Sequence, residues 1–199
     1  MTPAHSTSTQ ASAYRLPAPS PDLRRLQAFV NTNEIEAGTD ALATPRQLQE
    51  WLVVARAIEA GDQVTREAHA RAIAVREGIR ALALANNDRP LQDDRVAAMN
   101  RAARRSTLVP TVEDSANWHL EPATRGIDGF LGSLVGTLVT AMADGSWARV
   151  KACGNDACRW LFFDQSRNHS GTWCSMAECG SRMKARAYRA RHRAEHAAT

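Results

Sequence analysis

Cys153-Gly154-Asn155-Asp156-Ala157-Cys158 and Trp173-Cys174-Ser175-Met176-Ala177-Glu178-Cys179 hold all four cysteines of the chain. They form two Cys-x4-Cys pairs with 15 residues between them. Four thiolates satisfy the tetrahedral preference of zinc, and ligand pairs set across a short segment hold together a module too small for its own core. Core thiols without a ligand, a disulfide pair and a redox switch are the competing readings of such a cluster. His169, five residues before Cys174, reads as a loop histidine beside a shell that four cysteines already fill.

The flanking residues sharpen the metal reading. Ser175-Met176-Ala177-Glu178 is a capping-box pattern, which predicts a helix from Met176 with Cys174 just before its N-cap and Cys179 on its first turn. Trp160-Leu161-Phe162-Phe163-Asp164 is a strand-like run able to pack beside the metal, so the whole reads as a treble-clef-like finger. From Arg182 onward, six of twelve residues are basic: Arg182, Lys184, Arg186, Arg189, Arg191 and Arg193. Arg182, Arg186, Arg189 and Arg193 recur at helical steps and form one stripe. Met183, Ala187, Ala190 and Ala194 form an adjacent apolar stripe, predicted to pack inward. Guanidinium groups on such a helix can pair with phosphates and bind guanine edges, which makes nucleic acid the natural polyanion. A solvated helix whose cationic end complements its own dipole is the plainer alternative.

Outward from this segment, the 199 residues carry a net charge of +4, unevenly placed. Residues 147–199 hold ten Lys or Arg against four Asp or Glu, and residues 1–146 hold 15 against 17. With 44% hydrophobic and 23% charged residues, the composition is that of an ordinary globular protein. Residues 1–21 have almost no large apolar side chain and read as a disordered tail. Leu23, Leu26, Phe29 and Val30 predict a short first helix. Thr44-Pro45 starts a second, with Leu48, Trp51, Leu52, Ala55 and Ile58 on one face up to Gly61. Asp62 is the expected cap of a third helix running to Asn86-Asn87, and Leu91 to Arg105 reads as a fourth, with Val96 and Met99 inward. Residues 107–109 and 118–120 flank a turn and predict a small hairpin. Gly126 to Ala143 reads as an apolar core helix.

The expected fold is thus mainly α with a small β-hairpin. A tail (1–21) leads to a helical N-terminal domain (22–146), then a zinc finger with its basic helix (147–195). Asp128, Ser133 and several glycines interrupt the most apolar stretch, and the start lacks the n- and h-regions of a secretory signal, so the expectation is a cytoplasmic protein without a membrane partner. No Gly-rich phosphate loop, nucleophile elbow or diagnostic carboxylate pair is present, and the expectation is that the protein is not an enzyme. Asn168-His169 is the one pair a nuclease reading could use, but metal-assisted hydrolysis needs an open coordination site, and four thiolates close it. Trp51, Trp118, Asn31, His69 and His119 could line a pocket, with core packing the simpler role for Trp51.

The run Cys-x4-Cys-Arg-Trp-Leu-Phe-Phe-Asp-x-Ser-Arg-Asn, followed by Trp-Cys-Ser-Met-x-x-Cys-Gly-x-Arg-x-Lys-x-Arg-x-Tyr-Arg, resembles the CGNR zinc finger. The helical body, with Phe29-Val30-Asn31-Thr32 and Thr44-Pro45 through Trp51-Leu52, is similar to the ABATE domain that precedes this finger in bacterial stress-induced transcription regulators. The resemblance implies one structural zinc on Cys153, Cys158, Cys174 and Cys179, a finger that contacts DNA, and an N-terminal domain that senses a ligand or stress signal, with Asn31-Thr32 as a guessed marker of the ligand site. The name-giving motif falls on Cys179-Gly180-Ser181-Arg182, with Ser in place of the family's Asn, so any contact made by that amide is altered. The leading expectation is a DNA-binding regulator that reads DNA through Arg182, Lys184, Arg186, Arg189, Arg191 and Arg193, takes a small-molecule ligand and could form a homodimer. The alternative is a zinc-stabilised protein-interaction adaptor.

Overall fold

The computed structural model describes residues 18–114 and 118–197. The tail expected over 1–21 lies mostly outside them, as does the tip of the expected hairpin turn. Helix α1 (Pro21–Val30) begins where Ser20 accepts a hydrogen bond from the Leu23 amide at 3.1 Å and Pro21 occupies the first helical position. A two-residue ribbon follows, β1 (Asn33–Glu34) against β2 (Thr39–Asp40). Helix α2 (Pro45–Val54) starts as expected, with the Thr44 hydroxyl accepting from the Gln47 amide at 3.2 Å.

The apolar face expected to continue α2 to Gly61 stops early. Arg56 takes a left-handed φ of 53°, while the Ala57 amide bonds the Leu52 carbonyl at 2.8 Å and the Arg56 amide bonds the Val53 carbonyl at 3.0 Å. This is a Schellman closure formed without glycine, and it still delivers Ile58 to the core. Helix α3 (Arg66–Ala85) is capped by Thr65 rather than Asp62, whose carboxylate instead accepts from the Glu59 amide at 3.0 Å. Helix α4 (Asp93–Ala103) buries Met99 against Gly78 of α3, where a Cβ would lie only 2.4 Å from the Met99 Cβ.

Strands β3 (Leu108–Val112) and β4 (Trp118–Pro122) pair antiparallel, with Pro110 opposite Leu120. Helix α5 (Gly126–Ala143) packs on β4 through Gly136, where a Cβ would sit 3.2 Å from the Leu120 carbonyl. Alone among the described helices, α5 is long and apolar enough to cross a membrane. Here it is the core helix, burying Phe130, Leu131, Leu134 and Leu138. The Phe130 ring meets Phe29 edge-on at 5.3 Å and Trp51 at 6.0 Å.

After a 3₁₀ turn at Ser146–Arg149, strands β5 (Val150–Ala152) and β6 (Leu161–Phe163) form an antiparallel hairpin, and a π-helical turn at Met176–Gly180 leads into α6 (Ser181–Ala197). Trp147, Val150, Ala152 and Leu161 belong to the same hydrophobic cluster as Leu26, Phe29, Ile79 and Leu134. The β5–β6 hairpin therefore shares one core with the preceding helices.

Candidate metal centre and basic helix

The β5–β6 hairpin sets the geometry of the first cysteine pair. Cys153 follows β5 and donates its amide to the Trp160 carbonyl at 2.9 Å, and the Cys158 and Arg159 amides both bond the Asn155 carbonyl. The turn closes with Arg159 at a left-handed φ of 51°. Cys174 and Cys179 bracket Ser175, whose hydroxyl accepts from the Glu178 amide at 3.3 Å, the cap read from the sequence. The helix it starts is first a π turn: the Gly180 amide reaches back five residues to the Ser175 carbonyl at 2.9 Å. That extra residue per turn carries Cys179 inward, where it is buried.

All four sulfurs lie within 4.8 Å of one another, and Cys174 is 3.7 Å from both Cys158 and Cys179. A disulfide would need about 2.05 Å. Zinc–sulfur bonds of about 2.3 Å in a tetrahedron give sulfur–sulfur edges of about 3.8 Å. The four cysteines fit one structural zinc. The electrostatics agree, since burial pushes the Cys158 thiol up to about 11 and drives Cys174 up as well. Four thiolates this close need a cation among them. Cys179 differs: burial opposes its ionisation, but hydrogen bonds from the neighbouring thiols and from Asn155 outweigh it and lower its pKa. The Asn155 amide nitrogen is 3.9 Å from its sulfur, and Arg182 Nη2 is 3.8 Å from it. His169 stands in an exposed loop outside this cluster.

The finger is held to the helices largely through its main chain. Asn31 donates to the Leu161 carbonyl at 2.9 Å and accepts from the Leu161 amide at 2.7 Å, so the residue read as a ligand marker also ties the finger to α1. Asn86 donates to the Trp147 and Val150 carbonyls, and Asn87 to those of Ala152 and Thr172. Arg80, buried in the C-terminal half of α3, reaches the Arg159 and Val30 carbonyls at 2.8 and 2.7 Å. Next to it, Arg76 binds Asp40 of β2 with two hydrogen bonds of 2.7 and 2.8 Å. Burial would raise the Asp40 carboxyl, but the Arg76 guanidinium and the Leu42 amide outweigh it and hold it low. Asn86 and Asn87 read in the sequence only as a helix end. Their second role has no local signature, because their partners lie more than 60 residues away.

Within the finger, Lys151 and Asp164 form a buried ion pair at 2.9 Å. Asp164 also accepts from the Ser166 and Gly171 amides, while Lys151 donates to the His169 and Gly171 carbonyls. Burial disfavours the Asp164 carboxylate, but Ser166, Lys151 and the Gly171 amide together hold it far below its ordinary range.

Helix α6 carries the six predicted basic residues. Arg182 is ion-paired with Glu36, in the turn between β1 and β2, and touches the Cys179 sulfur, so it anchors the helix root. Arg186 and Arg189 follow on its side and line a notch of about 340 Å³ with Asn155 and Ala157. At 3.6 residues per turn, Lys184 and Arg191 fall on the opposite side of the helix. The apolar stripe expected to pack does so only at its root. Met183 is half-buried, whereas Ala187 and Ala190 are exposed, because the helix runs past the body of the protein. Tyr188 and His192 meet edge-on at 4.2 Å. Ser181, where the family has Asn, donates its hydroxyl to the Met176 carbonyl at 3.1 Å and braces the π turn.

Of the five residues that could have lined one pocket, Trp51 and Asn31 border one cavity, and Trp118 and His119 border another. His69 bonds the Leu42 carbonyl, Trp118 is exposed on β4, and His119 lies between Glu113 and Glu121.

The fold and the site define a helical protein closed by a four-cysteine zinc finger. Residues 149–192 match the CGNR zinc finger, and residues 23–146 match ABATE, described as "Putative stress-induced transcription regulator". Since the second match spans more than half of the sequence, the chain belongs to the ABATE family. No curated protein matches it. Neither matched family is of an enzymatic type.

Proposed function

We propose that this protein is a cytoplasmic DNA-binding transcription regulator, in which residues 147–195 contact DNA and residues 22–146 receive a ligand or stress signal. The observation that carries the reading is α6. It is anchored at the zinc site, extends beyond the body, and bears basic side chains on two opposite sides. A helix in a major groove has a phosphate wall on each flank, so Arg186, Arg189 and Arg193 face one wall and Lys184 and Arg191 the other. Tyr188 and His192 lie between the two rows. Arg182, expected among the contacts, instead fixes the helix angle through Glu36 and leaves the phosphates to the other five.

The test is fluorescence anisotropy of the zinc-loaded protein on a duplex across a salt series. With four to six phosphates neutralised, log affinity falls against log salt with a slope of about −4 to −5. Arg186→Ala/Arg189→Ala reduces that slope by about 2. The exposed Tyr188 favours one second reading, an adaptor that docks α6 on an acidic protein surface. Absence of duplex binding at low salt selects that reading and rejects the first.

A further inference from the structure

A cavity of about 980 Å³ opens at the seam between the helices and the finger. Its walls come from both sides: α1, the β1–β2 ribbon and Trp51 on one, Trp160 and the Phe162–Phe163 pair of β6 on the other. Four aromatic residues thus border one space of the size that holds small ligands. Trp51 and Trp160 are half-buried, and among the described residues neither indole N–H has a hydrogen-bond acceptor. Neither nitrogen is among the buried polar atoms without a partner, so both N–H groups are open to solvent and available to a ligand. The side-chain amides of Gln27 and Gln165 on the same lining are likewise without partners among the described residues. Of the charged lining groups, Asp40 is already bonded to Arg76, Arg24 bonds the Pro19 carbonyl, and Glu34 lies at the exposed edge.

We infer that this seam is a binding site for a small planar aromatic molecule carrying a hydrogen-bond acceptor such as a carbonyl. The rings supply stacking surface and the two indole N–H groups supply donors. The inference rests on the reading of residues 22–146 as the part that receives a signal, and it names the chemistry of that signal. The site is placed to be felt at the finger. Glu34 and Trp160 line both this cavity and the smaller one beside Cys158 and Cys174. Trp160 accepts the Cys153 amide through its carbonyl, and Glu36, two residues from Glu34, holds Arg182. A ligand here touches the same ribbon that fixes the root of α6.

The probe is prodan, a neutral planar naphthyl ketone whose emission shifts to the blue in apolar surroundings. Titrated into the zinc-loaded full chain without DNA, it should show saturable blue-shifted emission, energy transfer from tryptophan, and a rise in Tm that follows occupancy. Ala28→Phe places a ring in the cavity from an exposed position of α1 and should weaken binding at least about tenfold. Trp160→Phe keeps a ring but removes one donor, and should weaken binding and lower the energy transfer. Zinc content and Tm of both variants without probe report whether they fold. Absence of saturable binding overturns the inference, and so does binding that is equal in wild type and Ala28→Phe. Because no DNA is present, either failure leaves the DNA-binding reading of α6 standing, and failure of the salt series leaves this site standing.

Discussion

Asn31 and Leu161, 130 residues apart, exchange two hydrogen bonds through which the Asn31 side chain stands in for a strand neighbour of β6. Both partners are buried. Asn31→Ala leaves an amide and a carbonyl of Leu161 without partners, at a cost of about 1–3 kcal/mol for each group. The expected result is a lower Tm and faster hydrogen exchange at the Leu161 amide, with zinc content unchanged. Exchange at wild-type rate would show that the pair does not hold the finger.

Zinc should be present at one ion per chain by elemental analysis, and Co2+ in its place should give the visible bands of a tetrahedral four-thiolate site. Cys174→Ser removes a half-exposed ligand and should weaken metal binding. Chelation should lower Tm, because the Cys158 and Cys174 side chains lose the ion that joins them. A metal-free protein with unchanged Tm would contradict a structural role.

Asp164→Asn removes one member of a buried pair and leaves Lys151 facing two carbonyls, which destabilises by about 3–5 kcal/mol. The acid behaviour of the native pair has a definite sign. Since the folded Asp164 carboxyl is depressed, its contribution is fully present above the unfolded value, about 3.9, and is lost as pH falls through the lower folded one. Thermal melts from pH 6 downward should show the variant's deficit shrinking only in strong acid. A deficit that vanishes near neutral pH would sink this account.

Gly78→Ala tests the packing of α3 on α4. The added Cβ meets the Met99 Cβ at 2.4 Å, so the helices must part, with an overpacking penalty of about 1–3 kcal/mol. Met99→Gly, which removes the contacted Cβ itself, should recover part of that loss in the same chain. Additive losses in the double variant would show that the two sites do not meet.

Much of this architecture is legible in local patterns, and the failures have a common cause. Thr44-Pro45 announces α2, Ser175 with Glu178 announces the turn at the second cysteine pair, and Leu108 to Pro122 forms the hairpin, because in each the information sits within a few residues. The cysteine spacing likewise carries the metal centre. The end of α2 at Arg56 was hidden, since a left-handed arginine has no compositional mark. The packing expected of Ala187 and Ala190 fails because periodicity identifies an apolar face but not whether a partner stands opposite it. Asn31, Asn86 and Arg80 were unreadable for the complementary reason: their partners are distant main-chain atoms, which look alike at every position.

That last property has an evolutionary edge. Asn31, Asn86, Asn87 and Arg80 grip peptide groups of the finger, as does Arg89 at the Gly154 carbonyl. A socket that recognises backbone is indifferent to most side chains of what it holds. Mutational drift along the outer faces of the finger and α6 could therefore retarget the protein to new sequences while the joint to the helices goes on working unchanged.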